Sequence, residues 1–370
     1  PQVQVQAHRP CCCVGPCHSK HTMNGSESTT DPATPAKLYF IEPFLLDFVS
    51  VCNFLILSEL IGLFGIVGNV INMINFKRQG FQDGVNVTLF SLSLCDLGNL
   101  LTHQFCNILF SPWIGEYDLF MSKMNMFLNI IYFSGYFLRV GGLLTAFMNC
   151  ERCVSVVWPL KVKGVLTAKT AVVANGIIAG VSILYLVPPF YVYPIGWMFI
   201  PSLNRSILTR YFINDRHQIM AVYYIVADQF VPYATILVLI LCTIVIVTKL
   251  RSKLRWRQSF SNTGGNNSRD VPSKEHKLIK LLFTISIMFI VCILPQSTLN
   301  VAIALIPGLK ADGIYINIWK MCYSFTSLLE TMNCSVSIVL YYRMSSRYRQ
   351  VFWEMFHPLT SITLHLPEAK

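Results

Sequence analysis

Four acidic residues lie within long apolar stretches of this sequence, where a charged side chain is unexpected: Glu59, Asp96, Asp228 and Glu330. Taking a carboxylate out of water costs several kcal/mol unless it faces a polar interior or a partner. Acids in such positions bind cations, relay protons or pair with basic side chains. Each of the four is therefore a functional hypothesis.

Asp96 lies about ten residues into its apolar stretch, or ~15 Å deep at the rise of an α-helix. A later stretch carries polar residues at i, i+3, i+7 and i+11, which share one helical face: Glu330, Asn333, Ser337 and Tyr341. Together with Asn69 they are expected to form a polar network around Asp96 that holds a hydrated sodium ion or a proton. The alternative is a set of interhelical hydrogen bonds without an ion.

The elements that carry these residues are long and apolar. The chain has 370 residues, of which 54% are hydrophobic and 13% charged, against roughly 25% charged in a soluble domain. A membrane-crossing helix needs about 20 mostly apolar residues. Seven stretches meet that length: 54–76, 86–110, 123–157, 171–192, 221–247, 278–306 and 313–342. We predict an all-α membrane protein, a seven-transmembrane-helix bundle.

Basic residues are distributed unevenly between the predicted loops. With the C-terminus inside the cell, 19 of the 29 Lys and Arg residues lie on the cytoplasmic side and eight lie outside. Because cytoplasmic loops carry the excess of basic residues, the N-terminus is predicted to be extracellular. The orientation of the chain in the membrane then explains the net charge of +11, and no nucleic acid is expected as a partner. Contact with anionic membrane lipid also explains the charge, but not the motifs described next.

Short motifs follow the order of the predicted helices: Gly68-Asn69, Leu92 to Asp96, Glu151-Arg152-Cys153, Trp158-Pro159-Leu160, Pro232, Phe289 with Cys292 and Pro295, and Asn333 to Tyr341. Over roughly residues 50–356 this series resembles the rhodopsin-like (class A) G-protein-coupled receptors. Glu-Arg-Cys and the Tyr-Tyr-Arg-Met-Ser-Ser sequence from Tyr341 are similar to molluscan chemosensory-type receptors. The resemblance implies a plasma-membrane receptor that binds an extracellular ligand and activates a heterotrimeric G protein.

The resemblance also implies coupling roles for Glu151, Arg152, Pro295 and Tyr341. Arg152 ends the third predicted helix, and Glu275 begins the sixth, so Glu275 is expected to reach Arg152 and hold the two helices together in the resting state. The alternative for Glu275 is a solvated surface acid.

Two cytoplasmic segments are predicted from their composition. Residues 251–277 are basic and rich in Ser, Asn and Gly, which indicates a flexible docking and phosphorylation segment, with arrestin and a receptor kinase as further partners. From Arg343 to Phe356, apolar residues recur at helical spacing among basic ones. This pattern predicts a short amphipathic eighth helix along the inner membrane surface.

Arg139 and Asp228 are unlike charges at similar depth, about 27 to 28 Å above the inner boundary of their helices. The resemblance places the third and fifth helices side by side, so we expect the two to pair. The predicted ligand pocket consists of Arg139, Asp228, Ser134, Gln296, Asn300 and Glu330. A ligand carboxylate or peptide terminus would compete for Arg139; the alternative is a static salt bridge.

Several positions depart from the family pattern. Ser337 and Ile338 replace its Asn-Pro, and Ile293 stands in place of its sixth-helix tryptophan. No cysteine occurs between residues 154 and 241, so the family disulfide of the second external loop cannot form. We expect packing through Trp197 and other aromatic residues to hold that loop instead. Ser134 replaces the aspartate of amine receptors, which favours a peptide or a chemosensory small molecule over a biogenic amine.

The chain is predicted to have three parts. Residues 1–50 form an extracellular tail, in which Met23 is the expected initiator and residues 1–22 are untranslated. Residues 51–343 form the seven-helix receptor domain, and residues 344–370 form the eighth helix and the cytoplasmic tail. Asn24 and Asn204 begin Asn-X-Ser sequences on the external side and are predicted to be glycosylated.

An ion-coupled transporter or channel is the alternative function, since four intramembrane acids can relay ions. Transporters commonly show internal repeats and broken helices in both halves, and neither pattern is present in this sequence. Neither a nucleophile motif nor metal-ligand spacing accompanies His103, so an enzyme is not expected.

Overall fold

The computed structural model describes residues 42–109, 119–158, 167–201, 204–261, 274–306, 308–309 and 314–356. Eight helices occur within these ranges. α1 comprises Pro43–Ser50, a π-helical segment Val51–Leu57, and Ser58–Gln79; α2 is Gly84–Leu109, α3 is Lys123–Val157, and α4 runs through Ala168–Ser182, a 3-10 turn Ile183–Tyr185 and Val187–Val192. α5 comprises Arg216–Tyr223, a π-helical segment Tyr224–Phe230 and Val231–Ser261; α6 is Lys274–Leu305, α7 is Ile316–Ser335 with Ser337–Met344, and α8 is Ser346–Phe356.

Six helices in the described part of the chain are long and apolar enough to cross a membrane, namely α1 to α6. α7 differs because it breaks at Val336 into pieces of 20 and 8 residues and is rich in Ser, Thr and Asn. The bundle has an apolar outside and a polar inside: Leu60 is 64% exposed, whereas Asn72 and Ser93 are fully buried. A hydrocarbon solvent favours this distribution. The chain is therefore a multi-pass membrane protein.

Helix bounds differ from the predicted spans mainly at the ends. α3 has the predicted bounds. α1 begins at Pro43, because proline is favoured in the first helical turn, and so includes residues expected to belong to the tail. α5 continues to Ser261, so the expected flexible segment from Arg251 begins as a helix, over residues 251–261. Residues 262–273 lie outside the described ranges.

α3 is the central helix and packs against α2, α4, α5 and α6. Its N-cap is Ser122, whose hydroxyl accepts a hydrogen bond from the backbone N–H of Asn125 at 3.3 Å. Thr167 caps α4 in the same way through the N–H of Thr170. α7 packs against α1 and α6, and α8 packs against α1.

The connection between α4 and α5 contains a β-hairpin, which the all-α prediction missed. Strands β1 (Ile195–Ile200) and β2 (Arg205–Arg210) pair antiparallel, with Ile195 opposite Arg210 and Ile200 opposite Arg205. Alternating exposure along β1 follows the period of two expected of a strand with one solvated face. The side of the bundle that carries this hairpin is called the hairpin side, and the opposite side is the α8 side.

The expectation that Trp197 anchors this loop is wrong, since its side chain is 65% exposed. One backbone and one side-chain hydrogen bond attach the loop instead. The N–H of Leu208 donates to the carbonyl of Phe120 at 2.8 Å, and Asn125 Nδ2 donates to Thr209 Oγ1 at 3.3 Å. These bonds tie the hairpin to the start of α3.

Candidate ligand-binding and signalling sites

Arg139 of α3 and Asp228 of α5 form an ion pair through Nη2 and Oδ1. Their side chains are only 12% and 16% exposed. Arg139 Nη1 donates to the carbonyl of Gly135 at 2.8 Å, and Nε donates to the carbonyl of Ala227 at 2.9 Å. The guanidinium carbon also lies 3.9 Å from the centre of the Tyr185 ring. All three guanidinium nitrogens therefore have a protein partner.

The π-helical segment of α5 supplies one of these partners. In an α-helix the carbonyl of Ala227 would accept from the N–H of Val231, but here that N–H donates to Val226. The wider turn leaves the Ala227 carbonyl without its helical donor, and Arg139 Nε takes that place. The π-helical turn of α5 thus frees the carbonyl of Ala227, and Arg139 of α3 supplies the donor that this carbonyl lacks.

Glu330 of α7 belongs to a second buried set of hydrogen bonds. Its Oε1 accepts from Asn99 Nδ2 and contacts His103 Nε2, both at 3.1 Å. Asn99 Oδ1 in turn accepts from Ser134 Oγ at 2.5 Å. Polar side chains therefore join α2, α3 and α7, which offsets the cost of burying the carboxylate.

The hairpin-side cavity is a space of about 330 Å³ between α3, α5, α6 and α7. It is within the size range of small-molecule sites. All six residues predicted for the ligand pocket line it: Ser134, Arg139, Asp228, Gln296, Asn300 and Glu330. Aromatic side chains form much of its wall: Tyr132, Tyr185, Tyr224, Trp319 and Tyr323. That a ligand binds here stays a prediction.

The central cavity is smaller, about 30 Å³, and lies deeper in the bundle. Asp96, Asn99, Asn333 and Ser337 are among the residues that line it. These oxygen-bearing side chains suit a hard cation such as sodium. The network predicted around Asp96 is thus partly assembled here.

Two members of the predicted network belong elsewhere. Asn69 donates to the carbonyl of Cys334 at 2.8 Å and accepts from Ser337 Oγ at 3.3 Å, so it ties α1 to α7 beside the cavity. Glu330 bonds Asn99 and His103 and faces the hairpin-side cavity. Neither side chain lines the central cavity, but each bonds a residue that does, Ser337 for Asn69 and Asn99 for Glu330. A single network around Asp96 therefore stays a prediction.

Arg152 lies in the last two turns of α3, on the α8 side, where its Nη2 is 3.9 Å from Asp83 Oδ1. Asp83 precedes α2, and the same oxygen accepts from the N–H of Val85 at 3.1 Å. Arg152 Nε has no hydrogen-bond partner among the described residues. Glu151 is buried, with 5% exposure. The side chain of Glu275, the predicted partner of Arg152, lies outside those that the structure describes.

The α8-side cavity, of about 530 Å³, is lined by Asp83, Leu281, Tyr341, Arg347 and Tyr348 among others. Tyr341 is buried and its ring packs edge-on against Phe76, 5.1 Å between centres. Tyr348 donates to Asn72 Oδ1 at 2.6 Å, and burial raises the pKa of this phenol, so it stays a neutral donor.

The remaining predicted positions are distributed along the chain. Pro295 lies inside α6, where it cannot donate a backbone hydrogen bond. Asn204 is exposed at the hairpin turn, with a φ of 46°. Asn24 lies outside the described residues.

Sequence reasoning missed three residues of these sites. Asn99 and His103 are polar residues within an apolar stretch, and their spacing of i and i+4 placed them on one helical face. Their contact with Glu330 is visible only in the structure. Asp83 gave no such signal, because an acid in a predicted loop is ordinary. Its role depends on the approach of the loop to α3.

The family described as "Serpentine type 7TM GPCR chemoreceptor Srw" matches residues 56–358. The chain belongs to this family. Its members are receptors and not enzymes, which agrees with the prediction from sequence.

Two curated relatives are each 22% identical to this Srw-family receptor. One is a Drosophila melanogaster FMRFamide receptor, aligned over 83% of this chain and 54% of the relative. The other is a Mus musculus C-C chemokine receptor 1-like protein 1, aligned over 91% of this chain and 90% of the relative. The Srw-family chain thus spans about half the length of the first relative.

Proposed function

We propose that this chain is a rhodopsin-like (class A) receptor, similar to molluscan chemosensory-type receptors, that converts binding of an extracellular ligand into activation of a heterotrimeric G protein. α7 is its seventh span, since it packs within the bundle against α1 and α6 despite its polar composition. α8 lies on the inner membrane surface, with Trp353 and Phe356 49% and 55% exposed towards lipid.

The receptor lies in the plasma membrane with the hairpin side extracellular and the α8 side cytoplasmic. Residues 51–343 form the receptor domain and residues 344–370 the eighth helix and tail. The excess of basic residues on the α8 side supports this orientation. Asn24 and Asn204 are then glycosylated, and residues 1–50 form the extracellular N-terminal part, whose last residues, Pro43–Ser50, begin α1.

The observation that carries the proposal is the hairpin-side cavity, which opens between α3, α5, α6 and α7 and places polar groups against aromatic walls. The ligand is a peptide or a chemosensory small molecule. The names of the two relatives, which refer to FMRFamide and to C-C chemokines, support a peptide.

Ligand binding frees Arg152 for the G protein. In the resting receptor Arg152 contacts Asp83 weakly, and Glu275 of α6 provides a second acid on the same side. Separation of α3 from α6 and rearrangement at Pro295 and Tyr341 open the α8 side. The G protein inserts there, and arrestin and a receptor kinase act on the same surface.

A sodium ion in the central cavity stabilises the resting state. Asp96, Asn99, Asn333 and Ser337 would hold it, and the volume suffices for about one water-sized occupant.

Two variants of one ion pair test G-protein coupling. Arg152→Ala should reach the cell surface but fail to stimulate nucleotide exchange, because the group that engages the G protein is gone. Asp83→Asn should raise basal exchange by up to about fivefold, since an exposed pair contributes ~0.2–1 kcal/mol. Asparagine still accepts the Val85 hydrogen bond, so the α2 cap is kept.

The measurement is nucleotide exchange on purified G protein in receptor membranes, normalised to surface expression. Asp83→Ala, which loses both charge and cap, is the control for stability. Normal signalling by Arg152→Ala would refute the coupling role.

A further inference from the structure

Arg210 ends β2 on the hairpin side of the bundle and carries a buried positive charge. Only 8% of the residue is exposed. Its guanidinium carbon lies 4.4 Å from the centre of the Tyr193 ring and 5.7 Å from the centre of the Tyr132 ring. The faces of aromatic rings attract a cation, which offsets part of the cost of burying the charge. They do not replace acceptors for the N–H groups, which point outwards in the guanidinium plane.

Two nitrogens of this guanidinium have no hydrogen-bond partner. Nε and Nη2 of Arg210 are buried, and neither has an acceptor among the residues that the structure describes. The ion pairs found in that part of the chain join other residues. Nε and Nη2 belong to the same edge of the planar group, so their N–H bonds are nearly parallel and match the two oxygens of a carboxylate. Because a buried edge without acceptors is costly, an anion would complete this site.

Arg139, which lies in the wall of the hairpin-side cavity, is not available in the same way. Its three nitrogens are held by Asp228 and by the carbonyls of Ala227 and Gly135. A ligand carboxylate would have to break at least one of these bonds before it could bind Arg139. Arg210 requires no such exchange of partners, so it is the better group for recognising an anion.

Tyr132 connects Arg210 with the hairpin-side cavity. This tyrosine lines the cavity, and its phenol also interacts with the guanidinium of Arg210. Arg210 therefore lies behind the cavity wall, within reach of a ligand group that extends past Tyr132 towards the hairpin. Because Nε and Nη2 are covered, entry of that group requires a small shift of the hairpin. A two-stranded hairpin has little stability of its own, so such a shift needs little free energy.

We propose that Arg210 is an anion subsite beside the hairpin-side cavity and binds a carboxylate group of the ligand through Nε and Nη2. This assignment rests on the proposed function for the role of the cavity and adds the charge of the ligand. Each carboxylate oxygen accepts one of the two N–H bonds, while Tyr132 and Tyr193 stay in contact with the guanidinium. The ion pair of Arg139 and Asp228 stays closed and fixes α3 against α5.

The test measures thermal unfolding of the purified receptor without a G protein, so its failure is distinct from a failure of coupling. Two pairs of probes compare an acid with its amide: 3-phenylpropanoate with 3-phenylpropanamide, and the peptide N-acetyl-Gly-Phe with its C-terminal amide. Sodium concentration and ionic strength are held constant. In at least one pair, the half-maximal stabilising concentration should be at least about tenfold lower for the acid than for the amide. An effect of the peptide acid alone identifies the carboxylate as a peptide C-terminus, and an effect of 3-phenylpropanoate identifies it as that of a small organic acid.

The matched variants are Arg210→Gln and Arg205→Gln, which remove the arginines at the two ends of β2. Arg210→Gln should abolish the preference for the acid over the amide. Arg205 is exposed and donates to the carbonyl of Leu119 at 3.4 Å, so Arg205→Gln should leave the preference unchanged. Arg210→Lys keeps the charge without the paired N–H groups and should weaken the preference about three- to tenfold. It decides the test if Arg210→Gln does not fold.

Four results would overturn the assignment. They are equal half-maximal concentrations for acid and amide in both pairs, absence of stabilisation by either acid, an undiminished preference for the acid in the variants of Arg210, and an equal loss of that preference in Arg205→Gln.

Discussion

A buried arginine with three nitrogens to satisfy sets strict conditions on its surroundings. Arg139 meets them with one carboxylate and two backbone carbonyls, drawn from α3 itself and from α5. Because a buried charge without a partner is far more costly than a missing pair, these contacts are expected to act as a unit.

Single changes at this pair should therefore be more harmful than the loss of a surface ion pair. Arg139→Gln and Asp228→Asn each leave one buried charge unpaired, at a cost of ~3–5 kcal/mol. Both should lower surface expression and the thermal unfolding temperature of the receptor.

The exchange Arg139→Asp with Asp228→Arg discriminates between the contacts. It keeps a charge pair, but an aspartate at position 139 cannot donate to the Ala227 carbonyl. We expect it to restore stability only in part. Full recovery would show that the carbonyl contact contributes nothing.

Asp96 should link sodium to agonist potency. In the wild-type receptor, replacing sodium by choline at constant ionic strength should raise agonist potency, because the ion favours the resting state. Asp96→Asn removes the charge that holds the ion and should abolish this dependence. If sodium does not change agonist potency in the wild-type receptor, the polar residues of the central cavity only stabilise the helix packing.

The residues of these sites were predictable from sequence to different degrees. Arg139 and Asp228 stood out because each is costly in an apolar helix and the two lie at the same depth. The partners of Glu330 and Asn69 could not be predicted, since several polar side chains on neighbouring helices are within reach and the rotation of each helix selects one of them. Asp83 lay in a loop, where the cost of a charge gives no signal.

At the scale of elements, close helix packing depends on small residues at particular positions. Gly65 of α1 faces both α2 and α7: a methyl group there would lie 2.7 Å from Leu100 Cδ1 and would also meet Ser335. Gly180 of α4 has no atom within 4 Å of the same position. The two glycines therefore form a matched pair for substitution.

Gly65→Ala should destabilise the receptor by about 1–3 kcal/mol through overpacking, and its unfolding temperature should fall by several degrees. Gly180→Ala should leave that temperature unchanged or raise it, because alanine favours the helix by ~1 kcal/mol. Thermal unfolding of both variants in the same detergent provides the comparison. Similar falls in both would mean that α1 does not pack against α2 and α7 as described.

Continuous apolar stretches predicted α1 to α6 well, because hydrophobic length is the main requirement for a segment that crosses a membrane. The hairpin was missed because β1 and β2 hold Trp197, Phe199 and Ile207 in a loop whose aromatic content suggested side-chain packing. The π-helical segments were beyond prediction: their pattern of apolar residues is that of an α-helix, and tertiary contacts select the wider turn.

At the scale of the whole molecule, orientation decides which cavity meets the ligand. Asn204 is exposed at the hairpin turn, which the proposed orientation makes external. Receptor from eukaryotic cells should lose mass on treatment with an N-glycosidase. Asn204→Gln should reduce that loss of mass. In the double variant Asn24→Gln with Asn204→Gln, the enzyme should no longer change the mass.

The control is Asn266, which has the same acceptor sequence on the predicted cytoplasmic side. Asn266→Gln should not change the glycosylated mass. Modification at Asn266 and not at Asn204 would invert the topology and with it the assignment of both cavities.

Because of the π-helical segment of α5, the contact between Arg139 and the Ala227 carbonyl depends on the number of residues in that helix. Deleting one residue between Tyr223 and Val231 would let the helix wind regularly and return the Ala227 carbonyl to its own backbone, so Arg139 would lose that acceptor. A gap of one residue here is therefore not neutral in evolution. It is tolerated only together with an uncharged residue at position 139, so a deletion in α5 and a substitution in α3 form a single heritable unit.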